Sequence, residues 1–256
     1  MREYVFTVRY EPGVDPVMDV FIEYPETIAK SVSISVTREG LWRVDRLTGS
    51  EAALDAVEEA FLDTNHCNEC AGPHARCEAA REYQTITSDE TSWTVYSHLR
   101  EVRNCHSVPF LASRHLGDGL LFDAQRRGHR YEWRFLLPYE RRVGELFDAM
   151  QSGLPEGVTI TLEQVGTPTR WGENLTTIAD LPYEQRDVLE TAVSMGYYAT
   201  PRSVTLADIA GELGVPESTC RYRLRRAESW LTTRFVEGNA MLGDDESGSR
   251  TTATPD

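Results

Sequence analysis

An α+β fold is predicted for this chain, with the β-structure confined to roughly the first 166 residues and a wholly helical segment after it. Three observations carry that expectation. Short stretches of alternating polar and apolar residues recur up to about residue 165 and then stop. Two predicted hairpins each pair an Arg-and-Gly turn with a following Trp-Arg step, TREG before Trp42-Arg43 and RRG before Trp133-Arg134. From Val204 onward apolar residues instead recur at steps of three and four, the period of packed helices.

Taken in order, EYVFTVRY at 3–10 alternates as a strand, and Asp15 to Tyr24 reads as a helix with Val17, Val20, Phe21 and Tyr24 on one side. SVSISV at 31–36 and LWRVDRL at 41–47 form a hairpin across TREG. Ser50 opens a helix whose Ala53, Leu54, Val57, Ala60 and Phe61 share a face, and YQTITS at 83–88 is a further strand. The order βαββαβ then recurs. TVYSHL at 94–99 is a strand, 105–117 a helix, LLFDAQ and YEWRFLL a hairpin around RRG, 141–150 a helix and 158–165 a strand. We read two tandem ferredoxin-like units, about 1–90 and 91–166, each an antiparallel sheet covered on one face by two helices.

Residues 167–180, with Pro168 and Trp171, read as a linker. An all-α unit of three helices follows at 181–236, and 237–256, without aromatic residues, reads as a disordered tail. The first of its helices spans Pro182 to Met195, with Val188, Leu189, Ala192 and Met195 facing inward. Thr205 and Asp208 have the spacing of a capping box, and Leu206, Ile209, Ala210 and Leu213 make one apolar face. Gly214 supplies the left-handed residue that closes this helix, and Pro216 fixes the backbone where the last helix opens. In that helix Cys220, Leu224, Ala227 and Leu231 form an apolar stripe, while Glu217, Ser218, Arg221, Tyr222 and Arg225 fall on the opposite face. Hydroxyl, Arg and Tyr groups on the first turns of an amphipathic helix are what a helix-turn-helix (HTH) unit needs to reach base edges and phosphates. Thr219 joins this set, and Arg226 is placed for phosphate.

The runs LPYEQRDVLETAVSMGYY at 181–198, Pro201 with VTLADIAGELGV at 204–215, and RLRRAESWL at 223–231 together resemble the C-terminal HTH domain of haloarchaeal bacterio-opsin-activator-type regulators. The resemblance implies binding of double-stranded promoter DNA and transcriptional control. It implies little about the first 166 residues.

Charge sharpens this reading. The net charge is −15, and Lys30 is the sole lysine among 26 basic residues, a balance that resembles proteins working at molar internal salt. Acid surplus ordinarily opposes nucleic-acid binding, yet it is concentrated before residue 166, and segment 181–236 has as many Arg as acidic residues. At molar salt the counterion-release contribution is suppressed, so base contacts and shape carry more of the binding. No apolar run is long enough to cross a bilayer and MREYVFTVRYEPG has no signal-peptide core, so the expected location is the cytoplasm.

One constellation carries chemistry of its own. HCNECAGPHARC at 66–77 sets Cys67, Cys70, His74 and Cys77 on one loop, and Cys105 with His106 opens the first helix of the second half. Two halves packed side by side would bring Cys105 in as a fourth ligand. Such a set fits a soft metal ion such as zinc, an iron–sulfur cluster, or a dithiol–disulfide pair; simple packing of small buried residues is the plainer alternative. Metal, redox or small-molecule sensing by this region is the expected input to the DNA-binding unit, with a homodimer as a possible assembly. An enzyme using Cys67, Cys70 or Cys105 as a nucleophile beside His106 is the competing class, but no nucleophile elbow, P-loop or dinucleotide fingerprint accompanies it. His98, His115 and His129 are single, Asp118-Gly119 is a turn, and Arg126, Arg127 and Arg130 read as solvated charge.

Overall fold

The computed structural model describes residues 1–37, 39–63, 66–71, 77–103, 105–137, 143–168 and 181–240, the last six without their side chains. It separates into two compact units, Met1–Leu175 and Thr176–Asp256.

The first unit carries β1 (Arg2–Tyr10), α1 (Pro16–Glu23), β2 (Ile28–Val36), β3 (Gly40–Thr48), α2 (Glu51–Leu62), β4 (Glu78–Asp89), β5 (Ser92–Arg103), α3 (Val108–Leu116), β6 (Leu121–Arg127), β7 (Arg130–Leu137), α4 (Val143–Ser152) and β8 (Val158–Gly166). Local chemistry accounts for several of these boundaries. Asp15 caps α1 by accepting from the Met18 amide at 2.9 Å, with Pro16 at the first helical position where its missing N–H costs nothing. Asp89 accepts from the Thr91 and Ser92 amides at 3.0 and 2.8 Å, which tightens the turn between β4 and β5. All four helices pack into one buried cluster with inward strand residues, among them Phe6, Val8, Leu47, Trp93, Val95, Trp133 and Phe135.

The strands form a single eight-stranded sheet in the order β4-β5-β3-β2-β6-β7-β1-β8, antiparallel throughout. Exchanging each strand with the one four places on reverses this order, so the sheet has the strand symmetry of a duplicated βαββαβ. It is not, however, two self-contained ferredoxin-like sheets. The slot between β3 and β4 is filled by β5, and the slot between β7 and β8 by β1. The cause is the short β4–β5 turn: with Glu90 and Thr91 alone between the strands, β5 must lie against β4. The two halves meet where Ile28–Lys30 of β2 pairs with Gln125–Arg127 of β6. The Trp-Arg pairs that suggested the repeat prove to be out of phase. Arg43 is inward at 3% side-chain exposure and Trp42 outward, whereas Trp133 is inward and Arg134 lies on the other face.

The second unit contains α5 (Tyr183–Ser194), α6 (Leu206–Glu212) and α7 (Glu217–Ala240). The capping box at α6 forms as expected: the Thr205 amide donates to Asp208 Oδ2 at 2.7 Å and the Asp208 amide to Thr205 Oγ1 at 3.3 Å. Gly214, at φ +65°, turns the chain from α6 toward α7 in the left-handed conformation that favours glycine. The core joins Leu181, Val188, Leu189, Ala192, Ile209, Ala210, Cys220, Leu224 and Ala227. α7 runs on to Ala240, past Gly238, where composition suggested a tail; the rest of that tail and most of the linker, Trp171 included, lie outside the described residues.

Candidate metal centre and nucleic-acid interface

Cys67 and Cys70 sit on a turn between α2 and β4, closed by the Cys70 amide donating to the Cys67 carbonyl at 3.1 Å. Cys77 precedes β4 and Cys105 follows β5. Glu78 and Arg103, the facing residues at the open end of the β4–β5 hairpin, are partners in register, so the hairpin itself holds Cys77 and Cys105 near each other. Cys105 thus reaches the loop through strand pairing, not through the packing of two separate repeats, and it precedes α3 rather than opening it. The Cys70 and Ser107 backbones form a further bridge, and the Ser107 amide donates to Cys105 Sγ at 3.3 Å.

The four sulfurs lie within 4.8 Å of one another, with Cys70 to Cys105 at 3.8 Å and Cys67 to Cys77 at 3.5 Å. All four thiols are free, three buried and Cys77 half-buried. They are packed with Leu41, Leu99, Val102 and Phe110, which form an apolar shell. A tetrahedral ion with sulfur at ~2.3 Å has sulfur–sulfur edges of ~3.8 Å, so the spacing fits one ion. A four-iron cube needs its cysteine sulfurs further apart. Hydrogen bonding within the group, led by Cys105, holds Cys67 and Cys77 low and Cys70 high; Cys105 is itself pushed up, foremost by Cys67. His74 lies outside the described residues. His66 is turned away to Asp15 at 3.2 Å. Burial works to raise the Asp15 carboxyl, but hydrogen bonds from His66 and the Met18 amide outweigh it and hold Asp15 below its ordinary value.

The two residues between Cys67 and Cys70 are buried, which spacing alone did not indicate. Glu69 Oε2 accepts from Arg43 Nη1 at 2.8 Å. Arg43 also donates to Tyr131 Oη at 2.8 Å and, through Nη2, to Ser31 Oγ and Asp45 Oδ1 at 2.6 Å each. The Asn68 carbonyl accepts from Arg126 Nη2 at 2.6 Å, and the Asn68 amide group donates to the Phe61 carbonyl. Arg126 is therefore not solvated charge: it is 4% exposed and stacks over Tyr131 at 4.2 Å. Burial raises the Glu69 carboxyl while Arg43 pulls it down; burial opposes the Arg43 charge, but Asp45 and Glu69 outweigh it and keep the guanidinium protonated. A charged residue at an inward strand position, as in Leu41-x-Arg43-x-Asp45-x-Leu47, was the available signal for this cluster.

On α7 the two faces separate as the sequence proposed. Cys220, Leu224 and Ala227 are buried, while Glu217, Ser218, Arg221, Tyr222, Arg225 and Arg226 are exposed and Thr219 is intermediate. Tyr222 is 64% exposed. Arg221 pairs with Glu217 one turn earlier, and Tyr198 donates to Glu228 Oε1 at 2.6 Å, bracing the α5–α6 connection against α7.

Residues 3–171, about two thirds of the chain, match the HVO_2928 N-terminal domain family. The chain belongs to this family. Beyond the HVO_2928-type region, residues 181–233 match the HTH DNA binding domain family, which is the bacterio-opsin-activator type. A dimethyl sulfoxide reductase transcriptional activator of Halobacterium salinarum is 43% identical over 61 residues, 23% of this chain and 27% of that protein. The chain thus aligns with little more than a quarter of that relative's length. No helix among the described residues is long and apolar enough to cross a membrane.

Proposed function

We propose that this protein is a transcription regulator that reads double-stranded promoter DNA through α7 and holds one soft metal ion of the zinc class between Cys67, Cys70, Cys77 and Cys105. The HTH match over 181–233, together with the polar first turns of α7, carries the first half of the reading. In it Glu217, Ser218, Thr219, Arg221, Tyr222 and Arg225 meet base edges and Arg226 meets phosphate. The convergence of four sulfurs on one point carries the second half. They face one another inside an apolar shell rather than a cleft, which favours ligation over nucleophilic attack. A bound ion would supply tetrahedral cross-linking of the α2–β4 loop to the β4–β5 hairpin, and its loss is the signal that the N-terminal region passes on.

The duplicated element order of residues 1–166 accords with ferredoxin-like ancestry, this region serving as the sensing part and as the contact of a homodimer. Such a protein acts in the cytoplasm. Two measurements test the reading together: metal content of the purified chain, expected at one ion per chain, and footprinting on its own promoter at molar salt. A protected site with no ion would remove the metal half of the reading. An ion with no sequence-specific protection would remove the DNA half.

A further inference from the structure

We propose that Glu69 is the positioning residue of the four-sulfur site, fixing the Cys67–Cys70 turn to the sheet through its buried ion pair with Arg43. The inference rests on the metal reading above and extends it to the way the ion is retained. Glu69 occupies the middle of the turn that carries two of the four sulfurs, and its side chain is fully buried. Arg43 is the contact that holds it: Oε2 accepts from Arg43 at 2.8 Å, while Oε1 has no hydrogen-bond partner among the described residues. Arg43 is in turn fixed from three strands, by Asp45 on its own β3, Ser31 on β2 and Tyr131 on β7. A guanidinium bonded to four buried acceptors cannot shift without leaving one of them unmatched. The geometry of Cys67 and Cys70 is therefore inherited from a rigid point in the sheet.

That point lies at the join of the two halves. β2 meets β6 over Ile28–Lys30 alone, and beside that short seam Asn68 is held by Arg126 of β6 while Glu69 is held by Arg43 of β3. The dipeptide between the cysteines thus grips both halves of the sheet. A carboxylate buried at this depth is costly unless its partner is in place. An ion at the sulfurs holds the turn where the pair forms, and the pair holds the sulfurs where the ion binds. Ion occupancy and closure of the seam favour each other, and by linkage each strengthens the other equally.

The test uses the full chain loaded with zinc, or with cobalt as a spectroscopic reporter, in molar salt. Wild type, Glu69→Gln and Tyr131→Phe are compared; Gln keeps the shape of Glu, and Phe removes a single acceptor from Arg43. Transfer of zinc to a chromophoric chelator should be 10–100-fold faster for Glu69→Gln, with a smaller change in the same direction for Tyr131→Phe. The cobalt–thiolate absorption should shift in Glu69→Gln, and its Tm deficit against wild type should be larger with the ion than without it. Unchanged transfer rates with equal Tm losses in both forms would mean that Glu69 is structural only, and the proposal fails. A wild-type chain that takes up no ion overturns it as well, together with the metal reading. Should Glu69→Gln fail to fold, the transfer rate of Tyr131→Phe decides.

Discussion

Cys105→Ser is the most discriminating single change for the metal reading, because Cys105 is the one ligand outside the 66–77 loop. Structural zinc sites with four ligands bind with apparent energies of about 10–16 kcal/mol, so one thiolate accounts for roughly 3 kcal/mol, or about a hundredfold in affinity. With ion at a hundred times the wild-type Kd, the wild type gains ~2.7 kcal/mol of stability from the ion. At the same concentration a hundredfold weaker variant sits at its own Kd and gains ~0.4 kcal/mol, a difference of about 2 kcal/mol. For a unit of this size that is a Tm deficit of several degrees, present only when the ion is present. Thermal unfolding of both proteins with zinc and with excess chelator, at molar salt, measures it directly. If Cys105 only packs, as its 1% exposure also allows, the serine lowers Tm equally in both conditions and leaves affinity for the ion unchanged. That outcome would refute the four-ligand reasoning.

Three further changes address the second unit. Arg221→Ala should cost about 1–3 kcal/mol of specific DNA affinity and relax preference at one base pair, seen by footprinting a panel of single-base variants; equal loss on every variant would assign Arg221 to phosphate instead. Leu224→Ala removes a side chain 3% exposed in the helical core and should lower stability by about 2–5 kcal/mol. It should also abolish DNA protection, with zinc uptake by the first unit left intact, which metal analysis of the variant would check. Asp208 is held below its ordinary value of 3.8 by hydrogen bonds from the Thr205 hydroxyl and amide. A carboxylate depressed in the folded state contributes stability above its unfolded pKa and loses it as pH falls through the folded one. Asp208→Asn should therefore flatten the acid-side loss of helicity measured by circular dichroism below about pH 4, and an unchanged acid limb would detach the capping box from it.

The helical unit was legible in the sequence because each device there is local: a capping box, a left-handed glycine and a stripe at steps of three and four. The sheet was legible in its element order and less so in its boundaries. Ile28–Lys30 shows no alternation before the bulge that shifts β2 at Ser31–Ser33, and that stretch turned out to be the seam of the halves. Glu78–Glu82 reads as polar and featureless because β4 is an edge strand with little to bury. Arg126 looked like one of three surface arginines at a hairpin tip, yet it follows Phe122 and Ala124 on the inward side of β6. The cysteine cluster was visible from spacing on its loop. Glu69 was not, since a polar residue between two cysteines has no period to betray its burial.

The symmetry of the sheet makes the sulfur site more informative than its residue types alone. In the second half the same arrangement exists: Tyr10 at the end of β1 pairs with Val158 at the start of β8, and the Glu11 amide donates to the Gly157 carbonyl at 2.8 Å. That hairpin-like corner is joined to α4 by the short link 153–157, Gly-Leu-Pro-Glu-Gly, without a cysteine. The matching link in the first half runs from 63 to 77 and carries three of the four sulfurs and the buried Asn68-Glu69 dipeptide. The fold can close this corner with five residues and no thiol, so the long cysteine loop is not required to complete the sheet. Its presence on one half alone, gripping β3 and β6 across the shortest strand pairing among the described residues, favours the ligand-binding reading proposed above. A structural patch needed for folding should instead recur at both corners.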